Sequence, residues 1–251
     1  MTAVLTAEPQ ALTLTPDQVL RFHTDGFLGP FQAYTPEEMA ELRPRIEQVL
    51  ERDAPDHTQK HHNRHLDERL IWDLASNPAV VRRMTAVVGE DLLLWRTNFF
   101  IKQPGALAIP WHQDNNYWPL EPAVVMSAWM AIDDATLENS CPQVIPGSQS
   151  KLIPHIKMKG VAFGEGADPD RIDASKAVPL EMKAGEFFLF NERTLHYSAP
   201  NTSSKRRIGL AIRAILPFVR VTKWDAPRHA AVQLSGADRM GFNRHAEPPA
   251  P

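Results

Sequence analysis

The sequence predicts a mainly β protein with flanking helices: a double-stranded β-helix (jelly-roll, cupin-like) core with an N-terminal helical layer. Three observations carry this expectation. Helix signals crowd into residues 13–90, and short apolar runs bounded by Pro, Gly, Asn and Ser follow from Asp91 onward. A continuous βαβ alternation is missing, which argues against a parallel nucleotide-binding sheet. A jelly roll also limits exposed strand edges.

The helices are marked by capping chemistry. Thr15-Pro16-Asp17-Gln18 combines an N-cap threonine, a proline suited to the first helical position and a capping-box glutamine, and Gly26 ends the helix. Thr35-Pro36-Glu37-Glu38 repeats the device and opens a helix toward Arg52, with Pro44 predicting a kink or a later start. Glu68–Ala75 reads as helix, Asn77-Pro78 starts another over Ala79–Val88, and Gly89 stops it. Strand-like runs follow at Asp91–Gln103, Val124–Ile132, Glu186–Phe190, Leu195–Ala199 and Arg207–Leu216. Residues 1–251 read as a single domain, with the jelly-roll core over 91–220 and disordered arms at 1–12 and 246–251.

Composition narrows the class. The chain has 251 residues and 43% hydrophobic content, enough for one substantial core. A net charge of −3 supplies no basic field for nucleic acid or anionic lipid. One cysteine, Cys141, allows no intramolecular disulfide. No signal peptide and no 18-residue apolar run is present, so a cytoplasmic protein with a small-molecule substrate and no membrane partner is expected.

The candidate chemistry begins with His-x-Asp, which occurs three times: His23–Asp25, His65–Asp67 and His112–Asp114. Side chains two apart share one face of a strand but diverge on a helix. The first copy closes a helix and the second leads into one. Only the third, in Pro110-Trp111-His112-Gln113-Asp114, sits among extended signals. A second histidine must come from a distant strand. His196 follows Gly185 and the apolar run Glu186–Phe190, whereas His155 reads as a surface or supporting residue. Two imidazoles and a carboxylate are the ligand set of a mononuclear non-haem iron(II) site, which leaves one face of the metal open. His196 and Ser198 share a strand face, and a hairpin through Asn201–Lys205 brings Arg207 beside Ser198. Arginine's planar fork suits a carboxylate, so the group describes a pocket for a chelating keto-acid. A register slip of one residue would put Arg206 there instead. The tract His57–His65 reads as a solvated loop or a lid over a site, with metal binding as the other reading of its histidines.

With these residues in order the chain resembles the phytanoyl-CoA dioxygenase-like (PhyH) family of Fe(II)/2-oxoglutarate-dependent oxygenases. The segments that carry the resemblance are Pro110–Asp114, Tyr117-Trp118-Pro119, Ser127–Trp129, Asp133-Asp134 to Asn139–Cys141, Val144–Ser148, Gly185–Phe188 and His196–Ser198 with Arg207. The resemblance implies His112, Asp114 and His196 as iron ligands. It further implies Arg207 and Ser198 on the distal carboxylate of 2-oxoglutarate, Trp129 lining that pocket, and Asn98 as a further co-substrate contact. Trp111, Asn115, Tyr117 and Trp118 flank the ligands as candidate substrate contacts, with rim packing as the alternative. Asn139-Ser140, Pro142-Gln143 and Gln149 depart from the family pattern along one wall.

The implied reaction consumes 2-oxoglutarate and O2, releases succinate and CO2, and hydroxylates an unactivated C–H bond of a small molecule. The aromatic residues near the site fit a natural-product or amino-acid-like metabolite or a lipid. Related halogenases lack a carboxylate at the position of Asp114, so its presence disfavours chlorination. Desaturation, cyclisation and epimerisation use the same cofactors. A cupin-type metalloenzyme without a keto-acid and a non-catalytic jelly-roll binding module are the remaining alternatives.

Overall fold

The computed structural model describes residues 12–54 and 61–251. The expected arm at 1–12 therefore lies outside the described residues except for Leu12, as does His57 of the histidine-rich tract.

Four α-helices, Pro16–Asp25, Pro36–Glu51, Arg69–Ala75 and Pro78–Val88, form the N-terminal layer among the described residues. Both capping boxes close. Thr15 Oγ1 accepts from the Gln18 N–H at 3.3 Å and Thr35 Oγ1 from the Glu38 N–H at 3.2 Å, while the Gln18 and Glu38 side chains accept from the cap N–H groups. Gly26 ends the first helix in the left-handed region at φ 82°. Pro44 neither starts nor stops the second helix, which runs through it. Burial of Met39, Ile46, Val49 and Leu50 on either side holds the flanking turns in place.

Two sheets form the jelly roll. The larger has seven strands in the order Phe27–Gln32, Glu186–Asn191, Met126–Ala131, Arg207–Ile215, Leu92–Lys102, Ala231–Ser235 and His245–Ala246. The smaller has four, in the order Ile109–His112, His196–Ser198, Pro142–Val144 and Val178–Pro179. All neighbours are antiparallel except the pair Ala231–Ser235 with His245–Ala246.

Period-two alternation divides the larger sheet into two faces. Met126, Ala128, Met130, Phe187, Leu189, Ile208, Leu210 and Ile212 pack with Met39, Ile46, Leu74, Val80 and Met84 of the helices. The intervening residues Trp129, Ala131, Phe188, Phe190 and Ala211 face the barrel interior in a separate cluster. Burying each large outward side chain contributes about 1.5–3 kcal/mol. The helices thus cover one face of the sheet and free the other for the site.

Three strands of the larger sheet lie outside the runs read from the sequence: Phe27–Gln32, Ala231–Ser235 and His245–Ala246. Phe27–Gln32 is an edge strand whose register shifts between Leu28 and Phe31, where Gly29-Pro30 interrupts the pattern. The tail 246–251, expected to be disordered, is instead tied down. Ala246 pairs with Val232, and the Pro249 carbonyl accepts from Arg69 at 3.5 Å. Both contacts come from elements far away in sequence, so composition alone misses them.

The expected hairpin between His196 and Arg207 also needs correction. His196–Ser198 belongs to the smaller sheet and Arg207–Ile215 to the larger. The connection crosses the barrel, and Asn201 braces it by donating to the Lys102 carbonyl at 2.9 Å and the Lys205 carbonyl at 2.7 Å.

Candidate active site

The strand Ile109–His112 stops at His112, and Asp114 opens a 3-10 turn over Asp114–Asn116. Only the histidine therefore lies on a strand, contrary to the expectation for the pair. Gln113 between them is extended, at φ −116° and ψ 127°, so the two side chains still share one side. The Gln113 side chain faces the other way and pins the turn. Its Nε2 donates to Lys151 and Arg193 carbonyls at 2.8 and 2.6 Å, and its Oε1 accepts from the Ile153 N–H at 2.8 Å. His155 supports the same turn by accepting the Gln113 N–H at 3.2 Å. His196 is the register partner of His112 across the smaller sheet.

The three residues converge. His112 Nε2 and His196 Nε2 lie 3.7 and 3.8 Å from Asp114 Oδ1. One ligand atom of each falls within 4.8 Å of the others, the one such His/Cys/Asp/Glu group among the described residues. Each imidazole donates Nδ1–H to a carbonyl, His112 to Pro110 at 2.8 Å and His196 to Thr194 at 2.9 Å. A carbonyl only accepts, so each ring carries its proton on Nδ1 and turns the Nε2 lone pair toward Asp114. Burial pushes the His112 pKa down to about 3 and lowers that of His196, which keeps both rings neutral. Burial alone would raise Asp114, but the Arg213 guanidinium, 3.4 Å from Oδ2, holds its carboxyl below the usual range. Two neutral imidazole nitrogens and one carboxylate, all pre-oriented, fit a divalent iron.

A slot runs inward from the two histidines and ends at Arg207. Arg207 is 1% exposed and lies 5.1 Å over the Trp129 ring, while Arg206 points outward to Asp133 and Glu47. Burial pulls the Arg207 guanidinium down to about 10. Its Nη2 donates to the Ser140 carbonyl at 2.7 Å, but its Nε and the Ser198 hydroxyl, which lines the same slot, are buried without a partner. Gly209 makes the slot possible, since a Cβ there would lie 1.8 Å from Trp129 Cζ2. Ser140, at the Asn139-Ser140 departure, sits in the left-handed region at φ 78°, offers its backbone carbonyl to Arg207 and donates its hydroxyl to the Ala199 carbonyl.

A second, outer cavity of about 370 Å³ opens on the other side of Asp114. Tyr117, Trp118, Arg96 and Arg213 line it, with Phe163 and Glu165 contributed by the segment after Pro142–Val144. Asn98 faces this cavity, not the slot beneath Arg207, so it stands apart from the co-substrate position expected for it. Trp111 alternates away from His112 and stacks on Tyr197 at 5.1 Å, outside both cavities. Asn115 lines a different surface pocket, with its N–H on the Glu192 carbonyl at 3.1 Å. Neither is a contact of the outer cavity. Within the described part of the histidine-rich tract, His65 is buried with Nδ1 2.9 Å from Thr97 Oγ1, and His62 bridges to Asn98. Among described residues the tract builds no metal group.

Sequence reasoning misses Arg96, Phe163, Glu165 and Arg213. Arg213 had a usable signal, because it lies an even number of residues past Arg207 on one apolar strand and so shares its inward face.

A His-Asp-His group inside a two-sheet jelly roll has the ligand set of a non-haem iron oxygenase. The sequence profile of the phytanoyl-CoA dioxygenase (PhyH) family matches residues 22–209, and the chain belongs to that family of iron(II)/2-oxoglutarate-dependent oxygenases. Its cofactors are iron(II), 2-oxoglutarate and O2. It is 33% identical over 103 residues to the phytanoyl-CoA dioxygenase domain-containing protein 1 homolog of Dictyostelium discoideum, covering 38% of this chain and 36% of that one. It is 26% identical over 244 residues to L-proline trans-4-hydroxylase of Streptomyces griseoviridis, covering 85% and 88% of the two chains. The match spans half or less of several other curated relatives, 50%, 42% and 44% of their lengths. Among solved structures, CytC3 with Fe(II) and alpha-ketoglutarate superposes with a TM-score of 0.74 at 28% identity, over 94% of this chain and 93% of that one. The non-heme monooxygenase ThoJ gives 0.79 at 27% identity, over 93% and 88%. No helix among the described residues is long and apolar enough to cross a membrane.

Proposed function

We propose that this protein hydroxylates an unactivated C–H bond of a small molecule, consuming 2-oxoglutarate and dioxygen and releasing succinate and carbon dioxide. One observation carries the reading: His112, Asp114 and His196 converge between an inner slot closed by an unsatisfied arginine and a larger outer cavity. In this reading the two Nε2 atoms and Asp114 Oδ1 hold iron(II), which with 2-oxoglutarate supplies the dioxygen activation. Arg213 occupies Asp114 Oδ2, fixing the rotation of the carboxylate and leaving Oδ1 to the metal. Arg207 Nε and the Ser198 hydroxyl take the distal carboxylate of the keto-acid, which meets their missing hydrogen bonds. Trp129, Phe188 and Phe190 keep water out of that slot, and Tyr117 and Trp118 wall the substrate side. The carboxylate at position 114 and the similarity to a proline hydroxylase over most of both chains support hydroxylation among the outcomes open to such a centre.

The test is aerobic turnover. Succinate release should require both iron(II) and 2-oxoglutarate, and the product should carry one atom of isotope-labelled dioxygen. Truncating one partner of a buried charge pair costs about 2–5 kcal/mol, so Arg207→Ala should weaken 2-oxoglutarate use about 30-fold or more. An unchanged rate in that variant sinks the assignment. A product lighter by two hydrogens, or an isomer of the substrate, would assign desaturation, cyclisation or epimerisation instead.

A further inference from the structure

The outer cavity contains polar groups whose hydrogen bonding the keto-acid reading leaves incomplete. Arg96 and Arg213 are direct cross-strand partners on the larger sheet, and Asn98 follows Arg96 on the same face. Like charges directly opposite each other destabilise a sheet. The neighbouring acids compensate only in part: Asp225 binds a terminal nitrogen of Arg96, and Asp114 binds a terminal nitrogen of Arg213. Both Nε atoms remain buried without a partner, and so does Asn98 Oδ1. The Arg213 side chain is 6% exposed, so water cannot stand in freely. Each unmet buried group costs about 1–3 kcal/mol. Arg96 and Asn98 line the outer cavity alone, so a keto-acid under Arg207 leaves them unmet. The same cavity holds a carboxylate, Glu165, whose ion pair at 3.0 Å is with Lys157, a residue 89% exposed. Such a surface pair contributes little and yields readily.

We propose that the outer cavity takes a small zwitterion of the amino-acid class, its carboxylate on Arg96 and Arg213 and its ammonium between Asn98 Oδ1 and Glu165. This rests on the oxygenase reading above and gives its substrate a chemical class. One anion between the two guanidinium groups removes their mutual repulsion and supplies both Nε donors with an acceptor. An ammonium supplies the donor that Asn98 Oδ1 lacks. A hydrocarbon chain meets none of these needs, and a thioester carbonyl offers the Nε donors an uncharged acceptor but gives Asn98 Oδ1 no donor. Tyr117 and Trp118 then enclose the carbon frame beside Asp114.

Thermal unfolding of the iron-loaded protein under argon reads binding without turnover. 2-Oxoglutarate is added first, and its shift reports the inner slot. The proteinogenic L-amino acids, their methyl esters and the corresponding decarboxylated amines are then added singly. At least one free amino acid should raise the midpoint by about 5 °C near saturation, with its ester and amine giving far smaller shifts. Arg96→Gln should remove the amino-acid shift, and the 2-oxoglutarate shift of the same variant reports whether the slot survives the substitution. Should that variant not fold, the comparison of acid with ester in the unaltered protein decides alone. The proposal is overturned if esters or amines stabilise as well as the acids. It is equally overturned if 2-oxoglutarate shifts the midpoint and no amino acid does. If 2-oxoglutarate itself gives no shift, the oxygenase reading fails, and this proposal with it.

Discussion

The two faces of the strand Arg207–Ile215 obey opposite rules. Ile208, Leu210 and Ile212 point to the helices and are nearly inaccessible. Arg207, Gly209, Ala211 and Arg213 point into the barrel, where the strand carries two buried guanidinium groups and two residues with almost no side chain. The outward face lowers the free energy of the fold by shedding water. The inward face raises it, because each arginine keeps an Nε without a partner. One strand thus separates what makes the protein stable from what is proposed to make it active, one residue apart.

Substitutions on the two faces should differ in sign. Leu210→Ala should cost about 2–5 kcal/mol of stability, read by urea unfolding, and leave the 2-oxoglutarate affinity of the folded protein unchanged. Arg207→Leu should leave stability equal or raise it by up to about 4 kcal/mol, since a desolvated charge is lost, while 2-oxoglutarate binding disappears. Equal destabilisation by both would abolish the distinction between faces. Gly209→Ala probes the boundary between them. Its new Cβ would meet the Trp129 indole, so about 1–3 kcal/mol of overpacking is expected, together with loss of the keto-acid shift.

The same division recurs on the neighbouring strand Leu92–Lys102, at smaller scale. Arg96 and Asn98 look inward, while Thr97 bonds the buried imidazole of His65. Burial depresses the His65 pKa to about 3 in the fold, below its unfolded value near 6.5. Its contribution is therefore complete above pH ~6.5 and is lost as pH falls from there toward 3. His65→Gln should flatten the acid limb of the stability curve by about 1.4 kcal/mol per pH unit at most, as measured by urea unfolding between pH 6 and 4. An unaltered slope would show that His65 is not held neutral.

Much of this was legible in the sequence because it is local. Threonine, proline and glutamine or glutamate at fixed spacing start helices through contacts within one turn, and the inner strands announce themselves by apolar runs. His112, Asp114 and His196 could be singled out because the other two His-x-Asp copies sit at helix boundaries. What escaped depends on distant pairing. The strand His245–Ala246 forms only because Ala231–Ser235 lies beside it. The crossing from His196–Ser198 to Arg207–Ile215 looks like a hairpin until the sheets are known. Trp111 was singled out by its place next to His112 in sequence, and strand alternation turns it away to stack on Tyr197.

That crossing has a mechanical corollary. The three proposed ligands of the metal hang from the smaller sheet and its turn, whereas Arg207 and Arg213 belong to the larger one. A keto-acid held at one end by the metal and at the other by Arg207 would tie the two layers together like a crossbeam. Amide hydrogen exchange should then slow on both walls at once, in Ile109–His112 as well as in Arg207–Ile215, although no backbone hydrogen bond joins those two strands.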